Sequence, residues 1–281
     1  MSILHRVSII LQDLTMKRQR LLFFIATILT IISANAQTYK DFLVGAKQGN
    51  AQAQFNLGVC YDQGKGIAKN YQEAAKWYRQ AAEQGFALAQ YNMGVYNERG
   101  KGVAQNYNEA VKWYKLAADQ GVVQAQFNLG SCYYHGKGVG QNYKEAVKWY
   151  RLAADKGYAQ AQSDLGSCYD QGIGVAQNYN EAVKWFRLAA EQGNVLAQYN
   201  LGVCYYQGRG VAQNHKEAVK WFRLAAGQEL AEAQYNLGIC YVTGDGIERD
   251  IQQAKAWIKK AARNGNEQAQ SFLKKSYNET W

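Results

Sequence analysis

The sequence predicts an all-α solenoid: a right-handed superhelix of six paired-helix units, each 36 residues long, with a half unit capping each end. Three observations carry this reading. A closing glycine returns at Gly49, Gly85, Gly121, Gly157, Gly193 and Gly265, with Glu229 as the one substitution. A tryptophan keeps the same spacing at Trp77, Trp113, Trp149, Trp185, Trp221 and Trp257, and an alanine at Ala53, Ala89, Ala125, Ala161, Ala197, Ala233 and Ala269. A fixed period of roughly 20 to 50 residues marks a stack in which each unit buries its apolar face on its neighbours. Nothing is inserted or deleted between units, so the stack should be regular.

From the N-terminus, residues 1–15 precede Met16 and read as a mis-assigned upstream start, outside the fold. Residues 16–36 read as a secretory signal peptide. Lys17, Arg18 and Arg20 form its basic region. Leu21 to Ile32 is an apolar core of 12 residues, too short to favour spanning a bilayer, and Ala34-Asn35-Ala36 fits a small-x-small cleavage site. The mature chain is expected to begin at Gln37, in the periplasm or outside the cell, with no integral membrane span. Residues 37–49 align with the second half of a unit and should form an N-terminal capping helix.

The six units are 50–85, 86–121, 122–157, 158–193, 194–229 and 230–265, and each reads as two helices. In the first, Ala53, Leu57, Cys60 and Tyr61 fall on one side at helical spacing. Gly64 and Gly66 then stop that helix, because glycine takes the positive φ of a helix end at little cost. Asn70 opens the second helix with Glu73 three residues on, a capping-box arrangement. It recurs at Asn106/Glu109, Asn142/Glu145, Asn178/Glu181 and Asn214/Glu217. Ala74, Trp77, Tyr78, Ala81 and Ala82 supply the buried stripe of the second helix. Gln54 and its equivalents sit beside the core and are expected to bond a neighbouring turn. Residues 266–281 align with a first helix, with Lys274 where other units have glycine, as suits a polar C-terminal cap.

Residues 53–85, AQFNLGVCYDQGKGIAKNYQEAAKWYRQAAEQG, resemble a Sel1-like repeat, a relative of the tetratricopeptide repeat. The matching positions are Leu57-Gly58, Tyr61, Gly64 to Ile67, Ala74, Trp77, Ala81-Ala82 and Gly85. The resemblance covers nearly all of residues 50–265. It implies protein–protein interaction as the generic role, with the first helices lining the concave surface. The exported Helicobacter cysteine-rich proteins are similar too, and that likeness implies an alternative role on β-lactams or peptidoglycan. They carry a cysteine pair in each repeat, and here the second cysteine of each pair is missing.

Export permits disulfides, yet Cys60, Cys132, Cys168, Cys204 and Cys240 occupy one slot of successive units. Stacked helices lie roughly 8–10 Å apart, whereas a bridge needs Cα atoms within about 7 Å. They read as buried free thiols, with no disulfide.

The formal charge is +10. Loss of residues 1–36 removes Arg6, Lys17, Arg18, Arg20 and Asp13 and leaves about +7. The basic slots of the second helix, Lys76 and Arg79 and their equivalents, have acidic neighbours three or four residues away. This describes a solvated face with weak ion pairs, not a nucleic-acid surface.

Chemistry-bearing motifs are sparse in the sequence. His135 and His215 stand in different slots without a ligand cluster, so no metal is expected, and no cofactor fingerprint occurs. Ser271-Phe272-Leu273-Lys274 fits a Ser-x-x-Lys nucleophile pattern followed by Ser276-Tyr277-Asn278, but no Lys-Thr-Gly element accompanies it. The reading is therefore a non-enzyme, with no catalytic residue assigned.

The stronger candidate is the outer face of the first helices. It carries Phe55, Tyr91, Phe127, Tyr199 and Tyr235 in one slot and Tyr134 and Tyr206 in a neighbouring one, beside Asn56, Asn92, Asn128, Asn200 and Asn236. Rings give rigid apolar contact and amides satisfy a ligand's polar groups, which suits an extended peptide or glycan. The competing reading makes the first slot a structural aromatic packed on the next unit. Asp62 and Gln63 head the most variable slots, where specificity could be written. The sequence thus predicts a monomeric exported scaffold that binds peptide or protein in its groove.

Overall fold

The computed structural model describes residues 39–277, and every described element is helical. The upstream segment 1–15 and the signal peptide 16–36 lie outside the described residues. The chain divides between Gln120 and Gly121 into two compact units. The first holds α1 (39–47), α2 (Ala51–Gln63), α3 (Tyr71–Glu83), α4 (Ala87–Arg99) and α5 (Tyr107–Asp119). The second holds α6 (Val123–His135), α7 (Tyr143–Asp155), α8 (Ala159–Gln171), α9 (Tyr179–Glu191), α10 (Val195–Gln207), α11 (His215–Gly227), α12 (Ala231–Thr243), α13 (Ile251–Arg263) and α14 (Glu267–Tyr277). No helix among the described residues is long and apolar enough to cross a membrane.

The helix ends follow the glycine logic. Gly64 closes α2 at φ 75° with its N–H on the Cys60 carbonyl, and Gly66 follows at φ 72°. The side chain of Asn70 accepts from the Glu73 N–H, as an N-cap should. The capping box, however, is only half formed. The backbone N–H of Asn70 goes to the Tyr61 carbonyl of the preceding helix at 2.9 Å, and Asn106, Asn142, Asn178 and Asn214 repeat this bond to Asn97, Tyr133, Tyr169 and Tyr205. With that donor taken, the glutamate turns outward and pairs with a lysine three residues on, as in Glu109–Lys112 and Glu145–Lys148. The bond fastens the two helices of a repeat to each other, which a local box would not.

Within each unit the core lies between the helices of a pair and between one pair and the next. Leu57, Ala74, Ala81, Leu165, Ala182, Leu201 and Leu237 are fully buried, as is the aromatic row Tyr78, Tyr114, Tyr150, Phe186 and Phe222. Burying such a side chain contributes about 1.5–3 kcal/mol against its ordering entropy. The glutamine row is structural, as its position beside the core suggests. Gln54 Nε2 donates to the Ala46 carbonyl at 3.2 Å, and Gln90, Gln162, Gln198 and Gln234 donate likewise to the preceding second helix. Their amide oxygens accept from Gln84, Gln120, Gln192, Gln228 and Asn264. A buried amide with both ends satisfied stabilises the register without an unmet polar group. The five cysteines are free and buried.

Candidate functional site

The aromatic slot of the first helices is half-buried throughout. In the first unit the Phe55 ring lies 5.7 Å from Tyr78 and 5.0 Å from Phe86, and Tyr91 lies 6.1 Å from Tyr114. In the second, Phe127 lies 5.7 Å from Tyr150 and 5.3 Å from Tyr158, and Tyr199 lies 6.1 Å from Phe222. Tyr235 packs on the C-terminal cluster around Ile258 and Leu273. One side of Phe55, Tyr91, Phe127 and Tyr199 therefore rests on the buried aromatic row, and one side of Tyr235 on Ile258 and its neighbours, while part of each ring remains accessible. The contact below holds each ring in place and leaves its other edge accessible.

The asparagines beside the rings are partly committed. Asn92 donates to the Tyr78 hydroxyl and Asn236 to the Tyr199 hydroxyl, each reaching back one repeat, while Gln52 donates to Asn56 at 3.1 Å. Asn128 and Asn200 are half-buried in the same row.

The neighbouring slot differs more from the sequence expectation. Its variation is matched to the loop of the next repeat, 39 residues on. Asp62 pairs with Lys101 at 2.5 Å, Asp170 with Arg209 at 3.6 Å, and Tyr206 donates to Asp245 at 2.9 Å. These variable side chains hold repeat to repeat: the carboxylates of Asp62 and Asp170 and the hydroxyl of Tyr206 are each engaged by the following loop. Tyr206 is also stacked on His215, with ring centroids 4.7 Å apart, and His215 Nδ1 lies 3.7 Å from Asp245. Desolvation, and then the bond to Asp245, push the Tyr206 hydroxyl up to about 12. A pocket of about 170 Å³ opens beside it, lined by Val203, Gln207, Phe222, Asn236 and Ile239. Tyr134 instead meets Tyr143 edge-on at 5.2 Å.

Two features escaped the sequence reading. The fourth repeat breaks the row, placing Ser163 and Asp164 where other repeats have a ring and an amide. Ser163 is buried, and burial pushes the Asp164 carboxyl up to about 6. The signal was the interruption of an otherwise regular slot. On the second helices, Leu152, Leu188 and Leu224 form an exposed row, 40 to 51% accessible. That row was legible as a 36-residue recurrence, hidden among the basic residues around it.

Ser271 and Lys274 are both exposed on α14. Burial pushes the Cys168 and Cys240 thiols up to about 12 and Cys204 to about 11, opposite to an activated nucleophile. No group of His, Cys, Asp or Glu among the described residues could hold a metal ion.

The Sel1 repeat family model matches six times in succession, over 51–86, 87–122, 123–158, 159–194, 195–229 and 231–266. The chain belongs to the Sel1 repeat family. Among solved structures, this Sel1 repeat chain is 38% identical to a protective antigen present in uropathogenic Escherichia coli strains, described as displaying an SLR fold. The TM-score is 0.79, over 84% of this chain and 52% of that one. A Sel1 repeat protein from Oxalobacter formigenes is 37% identical with a TM-score of 0.68, over 81% of this chain and 96% of that one. A curated relative, DAP3-binding cell death enhancer 1 of Rattus norvegicus, is 40% identical over 42 residues, 8% of its length. The chain thus spans about half of the antigen and a small part of the rat protein.

Proposed function

We propose that this Sel1 repeat chain is an exported, non-enzymatic scaffold that captures an extended peptide or protein segment on its first-helix face, acting as a monomer. The single observation behind this is that the first helices of each unit present half-buried rings braced from below, Phe55 and Tyr91 in one unit and Phe127, Tyr199 and Tyr235 in the other. Braced aromatics lose little entropy on contact, which is what makes such residues binding anchors. The family supports the reading, since Sel1 repeat solenoids commonly serve as protein-interaction scaffolds. Export rests on the signal sequence at 16–36.

The test pairs Tyr91→Ala with Tyr199→Ala in the mature chain and measures capture of proteins from an envelope extract. Capture should fall while the helical circular dichroism and melting temperature hold. Undiminished capture by the double variant would remove the groove from the account. Edman sequencing of protein from the envelope fraction should begin at Gln37; an unprocessed N-terminus in the cytosol would remove export.

A further inference from the structure

We propose that the fourth repeat sets the specificity of this groove: Asp164 pairs with a lysine or arginine side chain of the captured segment. The inference rests on the groove reading above and adds the chemistry of the partner.

The slot of Asp164 is asparagine in every other repeat, at Asn56, Asn92, Asn128, Asn200 and Asn236. The frame therefore needs an amide-sized polar group there, not an acid. In the same repeat Ser163 replaces the ring and is 1% exposed, so the first-helix face at this point offers a carboxylate in place of an aromatic edge. Asp164 Oδ1 accepts from Gln160 Nε2 at 3.1 Å. No lysine, arginine or histidine among the described residues forms an ion pair with it. The titratable groups that feel it are Tyr134, Tyr150 and Cys168, none of which carries positive charge.

Other half-buried acids are treated differently. Asp62 has Lys101, Asp170 has Arg209, and Asp245 has His215. The chain supplies a basic neighbour to each of these and none to Asp164. Burial raises the Asp164 carboxyl, so near neutral pH it is ionised in surroundings that solvate it poorly. A local rule broken without structural gain points to function. A cation brought by a partner would supply the missing charge. Because the mature chain carries about +7 overall, its general field disfavours basic ligands, so a preference for them must come from a local acid.

The experiment selects a random displayed peptide library on three mature proteins: the parent, Asp164→Asn and Tyr199→Ala. Parent-selected peptides should share a lysine or arginine at one fixed position and bind Asp164→Asn at least about tenfold more weakly. Asp164→Asn should melt no lower than the parent, since it restores the asparagine of the other repeats. Peptides that depend on Tyr199 yet show no fixed basic position would overturn the role of Asp164 and leave the groove standing. A basic position that persists on Asp164→Asn would overturn it too. Failure of the parent to enrich any peptide would remove the groove reading and this inference together.

Discussion

Gly202 of α10 lies against the ring of Phe222 of α11: a Cβ on that glycine would stand 2.7 Å from both Cδ1 and Cε1 of the ring. Gly58 meets Tyr78 and Gly166 meets Phe186 in the same way. The ring is fully buried and has nowhere to retreat. Gly202→Ala should therefore lower stability by about 1–3 kcal/mol, read from the midpoint of urea unfolding. Gly227, near the end of α11, has no atom within 4 Å of its Cβ position. There the same substitution should be neutral or stabilising by up to about 1 kcal/mol. Equal losses at both positions would refute the packing argument.

Glu229 is the one non-glycine residue with positive φ among those described, at 66°. It replaces the glycine that closes the other repeats. A left-handed conformation costs a non-glycine residue roughly 1–2 kcal/mol, while glycine costs about 0.5–1 kcal/mol more chain entropy on folding. Glu229→Gly should accordingly raise stability by about 0.5–1 kcal/mol. Calorimetric melting checks this, and a lower melting temperature would show that the glutamate side chain contributes something the backbone does not reveal.

Asp164 gives a pH signature. Burial raises its folded pKa to about 6, above the ordinary value near 3.9 of an unfolded chain. Between those values the folded state holds more protons than the unfolded one, so this group makes stability fall as pH rises. The loss should amount to about 1–3 kcal/mol and be complete by about pH 7. Asp164→Asn should thus gain on the parent between pH 4 and 6.5, with the two converging at acid pH. A constant difference across that range would contradict the assignment.

Asp62 also receives the Tyr96 hydroxyl and pairs with Lys101 from the next repeat, both side chains being less than one-third exposed. A double-mutant cycle with Asp62→Ala and Lys101→Ala should return a coupling of about 1 kcal/mol, weakened by salt. A coupling of zero would make this match of acid to base between repeats accidental.

The period, the helix pairs, the glycine stops and the glutamine row were all legible because each is written locally and then repeated. The half-formed capping box was not, because the competing acceptor for Asn70 is the Tyr61 carbonyl, placed only by the fold. Nor was the matching of Asp62 to Lys101, since it joins residues 39 apart across two repeats. The rings of the candidate site were visible as a slot, but the sequence left open whether they pack or project. The contacts with Tyr78, Tyr150 and Phe222 show that one side of each ring does the first. Asp164 was passed over because a reading that follows regularity notices what recurs, and this residue matters by failing to recur.

On the proposed function, the first-helix face and not the exposed leucine row of the second helices holds the partner. Site-specific photo-crosslinking tests it most directly, with the photoreactive residue placed at Tyr199 or, in a separate protein, at Leu188. Adducts should form from position 199 in intact cells and none from 188. Adducts from 188 alone would contradict it.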